Sequence, residues 1–411
     1  MRKPDVCSSA WVVNLYYRYG LESMSPMATM ESTCLAGVRV LELTHAIAGP
    51  QCGQILADHG ADVIKVEPPD GELARSSYPH DDNGESIYFS CHNRGKRSVV
   101  LDLKTDEGLA TLKHMVKSSD VVLTNYTVDV PAKLGWDYDT LKSINPAIIM
   151  VHVTGFGATG ANRQMRALDG IIQAMSGVPY FTGTTESGST LTAAFVADHI
   201  AAYHAAIAVL FALLRRNSSG EGGFVDLSML HAYSASLAHE VATSLAGQIP
   251  QRIGNRVATS YINTFATTDG EVILSPIGAA MWTKFCEAIG RQDWSESTSY
   301  EQAIFERRDE TEAIVAEWCS TKTRQQVVDL LVRAGIPCGP VQSPLEYAEA
   351  AIAEGLDAVV DVRAPSGRTF TVPGPIAPVG LNQSDRSRVV PRVGEHTEEV
   401  LAEFGLSGAR S

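Results

Sequence analysis

Short β-branched runs alternate with helix-spaced segments along most of the chain. GVRVLELT (37–44) reads as a strand, Gly49 to His59 has apolar residues at helical spacing, and ADVIKVE (61–67) is a second strand. The alternation continues through RSVVLDL (97–103), a helix near Asp106 to Ser118, DVVLTN (120–125), a short helix near Tyr138 to Ile144, and AIIMVHVT (147–154). Strands this apolar, separated by helices, predict a mainly parallel sheet covered on both faces. Past Asp169, IIQAMSG starts a helix. Ala193 to Arg216 gives a long helix, apolar on nearly all sides and read as core, and FVDLSML (224–230) is a strand entering a helix through Leu245.

The pattern then changes. YINTFATTDGEVILSPI (261–277) reads as a hairpin turned at Thr268-Asp269-Gly270, followed by helices at Ala279 to Ile289 and Thr311 to Cys319. GIPCGPVQSP (335–344) reads as a linker returning to the first lobe, and Val389 to Leu406 closes the chain with a short helix. The expected organisation is α/β. Residues 1–36 form a poorly ordered extension, 37–230 the first part of a large domain with a parallel sheet, 231–335 a linker helix and a smaller α+β domain, and 336–411 the return linker and the rest of the large domain.

Composition narrows the function. A net charge of -14 over 411 residues repels nucleic acid and anionic membrane, so an anionic ligand must meet a local basic patch. Seven scattered cysteines without a CxxC suggest neither a disulfide framework nor a metal site, and point to the cytoplasm. The longest apolar run, Ile200 to Leu214, is shorter than the roughly 20 residues a bilayer needs, so no membrane span is expected.

Three motifs carry candidate chemistry. GFGATG (155–160) formally satisfies GxGxxG after a strand, but polar Ala161 to Gln164 follows its last glycine where that fingerprint opens a helix, so it reads as a substrate loop at a strand's carboxyl end. Asn93-Arg94-Gly95-Lys96-Arg97 places three cations around a glycine, which suits phosphate oxygens as well as a solvated turn. Lys65 and Arg75 are weaker candidates of the same kind. Asp169 reads either as the N-cap of the following helix or as a nucleophilic carboxylate. Of the histidines, His45, His59, His92 and His152 lie near strand ends, where a general base could sit. There is no HExxH, GxSxG or metal-spaced carboxylate pair, so hydrolase and metal-enzyme readings are weak.

The ordered series GVRVLELTHAIAGPQCGQILADHGADVIKVEPPDG, NRGKRSVVLDLKTDEG, GWDYDTLKSINPAIIMVHVTGFGATG, RALDGIIQAMSG, GEGGFVDLSML, GIPCGPV and GEHTEEVLAEFG resembles the family III CoA-transferases over nearly everything after Ala36. That group includes formyl-CoA, carnitine and cinnamoyl-CoA transferases and, in a racemase branch, α-methylacyl-CoA racemase. The resemblance implies a Rossmann-like large lobe built from both chain ends, a small lobe between them, and two subunits interlocked like rings. It implies that Asp169 is a covalent nucleophile that passes CoA from an acyl-CoA thioester to a carboxylic acid through a mixed anhydride and an aspartyl-CoA thioester. By the same resemblance Lys65, Asn93, Arg94, Lys96 and Arg97 would contact CoA phosphates, with Arg75 kept as a cofactor-binding candidate on its charge alone, and His45, Ala46, Ile47 and Ala48 would lie beside the pantetheine and thioester. Coenzyme A is the expected cofactor-like substrate, with no metal. The racemases carry a His where this chain has Leu168, which favours transfer over the alternatives of an acyl-CoA racemase or an inactive CoA-ester-binding protein. The glycine-rich loop that covers the aspartate in the formyl-CoA enzyme has no counterpart around Leu274 to Ala280.

Overall fold

The computed structural model describes residues 33–355, 358–375, 381 and 384–406; most of the expected N-terminal extension lies outside them. Contacts divide the chain into two compact units. The larger takes the described residues up to Val178, Leu191–Ala242 and those from Gly355 onward, and the smaller takes Pro179–Thr190 and Thr243–Glu354.

The larger unit is built on six parallel strands. Their ranges are β1 Arg39–Leu43, β2 Asp62–Glu67, β3 Arg97–Val100, β4 Val121–Thr124, β5 Ile149–Thr154 and β6 Gly223–Ser228. Their order across the sheet is β3-β2-β1-β4-β5-β6, the doubly wound arrangement. Register follows from side-chain alternation. Val40 lies opposite Val63 and Val121, and Leu41 opposite Ile64 and Val122. Val40, Val63, Val121 and Ile149 face one core with helices α1 (Ala48–Asp58) and α4 (Val196–Ser219). Leu41, Ile64, Val122 and Met150 face the other, with helix α2 (Asp106–Val116) and the C-terminal helix Thr397–Glu403. A strand buried on both faces needs apolar residues at successive positions, which is why these segments are runs and not alternating patterns.

Helix α4 corrects one expectation, because it is core on one face only. Ala197, Ala201, Ala202, Ala205, Val209 and Leu213 are buried against α1 and the sheet, while Tyr203, Ile207, Leu210, Phe211 and Leu214 are exposed. By length and composition alone this helix of 24 residues could cross a bilayer. Its small-residue face instead lets it approach α1 closely in the densest helix pair of the unit.

The smaller unit carries the antiparallel sheet β7 (Asn263–Thr267), β8 (Gly270–Leu274) and β9 (Cys338–Pro340). The predicted turn is where the hairpin closes, with Thr267 opposite Gly270. Tyr261, Phe265, Phe285, Val315, Val327 and Leu331 fill its core, where Trp282 and Trp294 stack with ring centroids 6.2 Å apart.

Candidate active site

In a doubly wound sheet the chain leaves neighbouring strands toward opposite faces at one point, and a crevice opens beyond their carboxyl ends there. Here those strands are β1 and β4. The segment after β1 and the segment after β4 are tied together: the His45 N–H donates to Asn125 Oδ1 at 2.9 Å, and Asn125 Nδ2 donates back to the His45 carbonyl at 2.8 Å. Ala46 then turns through φ +62°, an unusual conformation for a residue with a Cβ, and its N–H is held by Glu72 Oε1 at 2.9 Å. Beyond these segments lies a cavity of about 1170 Å³. Its walls come from His45, Ala46 and Ala48, from Asn125 and Tyr126, from the loop after β5, and from Asp169, Gln173 and Asp198.

The loop after β5 is the GFGATG segment. Gly157, at φ +87°, places the Ala158 N–H on Asp226 Oδ1 at 2.8 Å, and the chain runs on without a helix until α3 (Asp169–Ser176). The nucleotide fingerprint is therefore absent, as its following polar residues indicated. Leu168 is the N-cap of α3 and Asp169 its first helical residue, so the aspartate does not cap its own helix.

Asp169 is 7% exposed, and its carboxylate has no cationic partner among the described residues. Two N–H donors hold it instead. Gln173 Nε2, one turn along α3, donates to Oδ2 at 2.5 Å, and the Asp198 main-chain N–H, in the first turn of α4, donates to Oδ1 at 3.1 Å. The carboxylate thus sits at the N-termini of two helices, where aligned peptide dipoles favour negative charge. Beside it, burial pushes the Asp198 carboxyl up to about 7, and the Asp169 charge adds to the rise. His45 is shifted the other way: burial lowers its imidazole below the ordinary value, against Glu72 and with help from Lys65. At neutral pH a lowered imidazole is a neutral wall group.

The structure brings His45, Ala46 and Ala48 together with Asp169, whereas Ile47 is fully buried beneath that loop. The basic residues lie elsewhere. Lys65 and Lys96 are wholly buried, both on Glu42, at 3.0 and 2.8 Å, and Lys65 also meets Glu72 at 3.1 Å. Asn93 Oδ1 accepts from the Lys96 ammonium at 2.8 Å. Arg94 pairs with Asp58, Arg97 with Asp62 and Glu403, and Arg75 with Glu67 while its guanidinium lies over the Phe89 ring. Each of these five cations has a carboxylate partner inside the larger unit, and none of the five lines the cavity of Asp169. His152 donates from Nε2 to the Tyr126 carbonyl at 2.8 Å, and His59 and His92 line a second cavity. Sequence reasoning singled out none of Asn125, Tyr126, Gln173 or Asp198. Gln173 was visible in the QAMSG run, but nothing local marked it as a partner of Asp169.

Fold and site together define a doubly wound α/β protein with a desolvated carboxylate in its switch-point crevice. The sequence profile of CoA-transferase family III matches residues 35–397, and the chain belongs to that family. It is 34% identical over 385 residues to the succinate–glutarate CoA-transferase of Agrobacterium fabrum, covering 90% of this chain and 95% of that one. It is 33% identical to the succinyl-CoA:mesaconate CoA-transferase of Haloarcula hispanica, covering 90% and 96%. It is 30% identical to the formyl-CoA:oxalate CoA-transferase of Rhodopseudomonas palustris, covering 89% and 92%. A CaiB/BaiF family protein from Brucella suis superposes with a TM-score of 0.81 at 29% identity, over 91% of this chain and all of that one. The protein is accordingly a family III CoA-transferase acting on CoA thioesters.

Proposed function

We propose that the protein transfers CoA between an acyl-CoA and a carboxylic acid with Asp169 as the covalent carrier. One observation carries this: a carboxylate buried in a cavity wall, without a cationic partner among the described residues, held only by neutral N–H donors. An ion-paired carboxylate would be a poor nucleophile, and one free in water would be solvated. One Asp169 oxygen attacks the thioester carbonyl, the C–S bond breaks, and CoA leaves as thiolate with the bonding pair. The thiolate then attacks Cγ of Asp169 in the mixed anhydride. The donor acid departs as carboxylate, leaving an aspartyl-CoA thioester, and the acceptor carboxylate repeats these steps in reverse. No net proton is consumed. Splitting the exchange this way lets the binding energy of the distant CoA portion hold the thiolate in place.

The names of the three relatives above carry the dicarboxylic acids succinate, glutarate, mesaconate and oxalate or their acyl-CoA forms. Arg163 and Arg166, in the cavity wall and exposed, support an acceptor with a second carboxylate. The proposal extends to assembly: the exposed apolar stripe of α4 supports the ring-like dimer that the family resemblance implies. The test is Asp169→Ala with a panel of acyl-CoA donors and dicarboxylate acceptors. Exchange is lost while acyl-CoA still binds, and wild-type enzyme given thioester yields a hydroxylamine-trappable adduct on Asp169. Turnover retained in the variant would defeat the proposal.

A further inference from the structure

Gln173 is 1% exposed, and its orientation is over-determined. Its Oε1 accepts from the Thr192 N–H at 3.0 Å and from the Thr192 hydroxyl at 3.2 Å. Because a main-chain N–H can only donate, the amide cannot flip, and Nε2 must face Asp169. There it donates to Oδ2 at 2.5 Å, with its longer contacts going to the carbonyls of Thr192 and Ala194 at 3.3 and 3.4 Å. The other oxygen, Oδ1, has only the 3.1 Å bond from the Asp198 N–H. The two carboxylate oxygens are therefore unequal: Oδ2 is held by a short bond from a locked donor, and Oδ1 is the freer.

Resting on the Asp169 reading above, we infer that Gln173 is a catalytic residue whose side-chain amide stabilises the oxyanion on Asp169 Oδ2 whenever a nucleophile adds to Asp169 Cγ. Oδ1 makes the bond to the donor acyl carbon. When the CoA thiolate adds to Cγ of the anhydride, the C=O pair moves onto Oδ2, which Gln173 Nε2 already faces. Collapse restores the Cγ=Oδ2 bond and breaks Cγ–Oδ1, and the donor acid leaves carrying Oδ1. The same donor serves when the acceptor carboxylate adds to the aspartyl thioester. It has no part in the first step, where the oxyanion forms on the substrate's own carbonyl. A donor fixed in advance by Thr192 needs no reorganisation as charge develops, which is the condition for a large electrostatic effect.

The two classes of step can be assayed apart. Capture of free CoA thiol by a thiol-reactive disulfide in a single turnover needs only the first step, whereas exchange of isotopically labelled donor acid into its CoA ester needs attack on Cγ as well. In Gln173→Leu, exchange should fall on the order of 100-fold through kcat, with KM for the acyl-CoA little changed, as for loss of one oxyanion donor. Single-turnover thiol release should stay near the wild-type rate. In Gln173→Glu, the protonated acid can donate as the amide does and the carboxylate cannot. Exchange relative to wild type should therefore recover as pH is lowered from about 8 to about 5, a dependence that guards against misfolding of the leucine variant. Exchange and thiol release falling in parallel in both variants, or exchange unaffected in Gln173→Leu, overturns the inference. Failure of the parent reading is distinguishable, because wild-type enzyme would then exchange acid with no adduct on Asp169.

Discussion

Replacing Glu42 by Gln should destabilise the larger unit by ~3–5 kcal/mol, because it strands buried cations. Glu42, Lys65 and Lys96 have fully buried side chains and Glu72 is nearly as buried, so two carboxylates and two ammonium groups balance in the protein interior. Gly53 lies so close over the Glu42 carboxylate that a Cβ there would collide with it. Burial alone would depress Lys65, yet Glu72, Glu42 and Glu67 together hold it above its ordinary value. Lys96 is less well served: burial pushes it down to about 8 even with Glu42 beside it. Without the Glu42 charge, Lys96 keeps only neutral acceptors such as the Pro50 carbonyl and Asn93 Oδ1 and sheds its proton to remain buried.

The assay is urea unfolding of each variant, followed by far-UV circular dichroism, beside KM for an acyl-CoA. Lys96→Met should cost less than Glu42→Gln, since Glu42 retains Lys65 and the Thr44 hydroxyl, and should leave KM unchanged. The double variant should be more stable than the two single losses predict, with a coupling energy of ~1–3 kcal/mol. The sign with pH is also fixed for wild type. A lysine whose folded value lies near 8, against the ordinary 10.5, loses its proton earlier when folded, so stability rises between about pH 8 and pH 10, and Lys96→Met removes that rise. An unfolding midpoint unchanged in Lys96→Met, together with a tenfold or larger rise in KM for acyl-CoA (~1.4 kcal/mol of lost binding), would refute this reasoning and restore the phosphate contact read from the sequence.

Other predictions concern the cavity and the surface. Asp198, pushed up to about 7 mainly by burial, keeps a proton in the folded state that the unfolded chain releases from about pH 4 upward. Stability therefore falls between about pH 4 and pH 7 by up to ~4 kcal/mol. Asp198→Asn should remove that loss and stabilise the protein more at pH 8 than at pH 5 in urea unfolding, and an equal effect at both values would count against it. For the α4 stripe, wild-type protein should sediment at twice the 44.1 kDa chain mass, and Phe211→Glu, which charges a residue 67% exposed in the single chain, should weaken that association.

The six strands and the existence of α3 were legible because their causes are local: a strand covered on both faces must be apolar throughout, and an apolar run behind a capping-type residue marks a helix to within a residue. The fate of the cations was not legible. A sequence shows how many charges lie near a glycine but not which carboxylates the fold delivers to them. Arg75 finds Glu67 only 8 residues away, yet Arg97 finds Asp62 at a separation of 35 and Glu403 at 306, and Lys96 finds Glu42 at 54. An acidic chain with few basic residues has carboxylates to spare for such pairs. The surplus that makes a basic cluster conspicuous in the sequence is also what supplies its buried partners. Grouping of residues 179–190 with the smaller unit likewise had no local signal, since nothing in VPYFTGTTESGST marks a change of lobe.

Asp169 shows how a shift of one residue decides a role. An N-cap residue stands outside the helix with extended backbone, and its side-chain oxygen is taken up by N–H groups two or three residues on. Leu168 occupies that place, with φ -130° and ψ 163° and no oxygen to offer. Asp169 is thereby turned one position into the helix, and its carboxylate faces Gln173 along α3 and the first turn of α4. Had the helix begun one residue later, the carboxylate would have been tied to the N–H groups of Ile171 or Ile172. Beginning where it does, the helix keeps the favourable end of its dipole beside the charge while leaving the two oxygens to the fixed Gln173 amide and the Asp198 main-chain N–H. A cap needs any short acceptor, but this arrangement needs a carboxylate with a donor fixed one turn along and a second helix N-terminus arriving from α4, a set of requirements that structural capping alone does not impose.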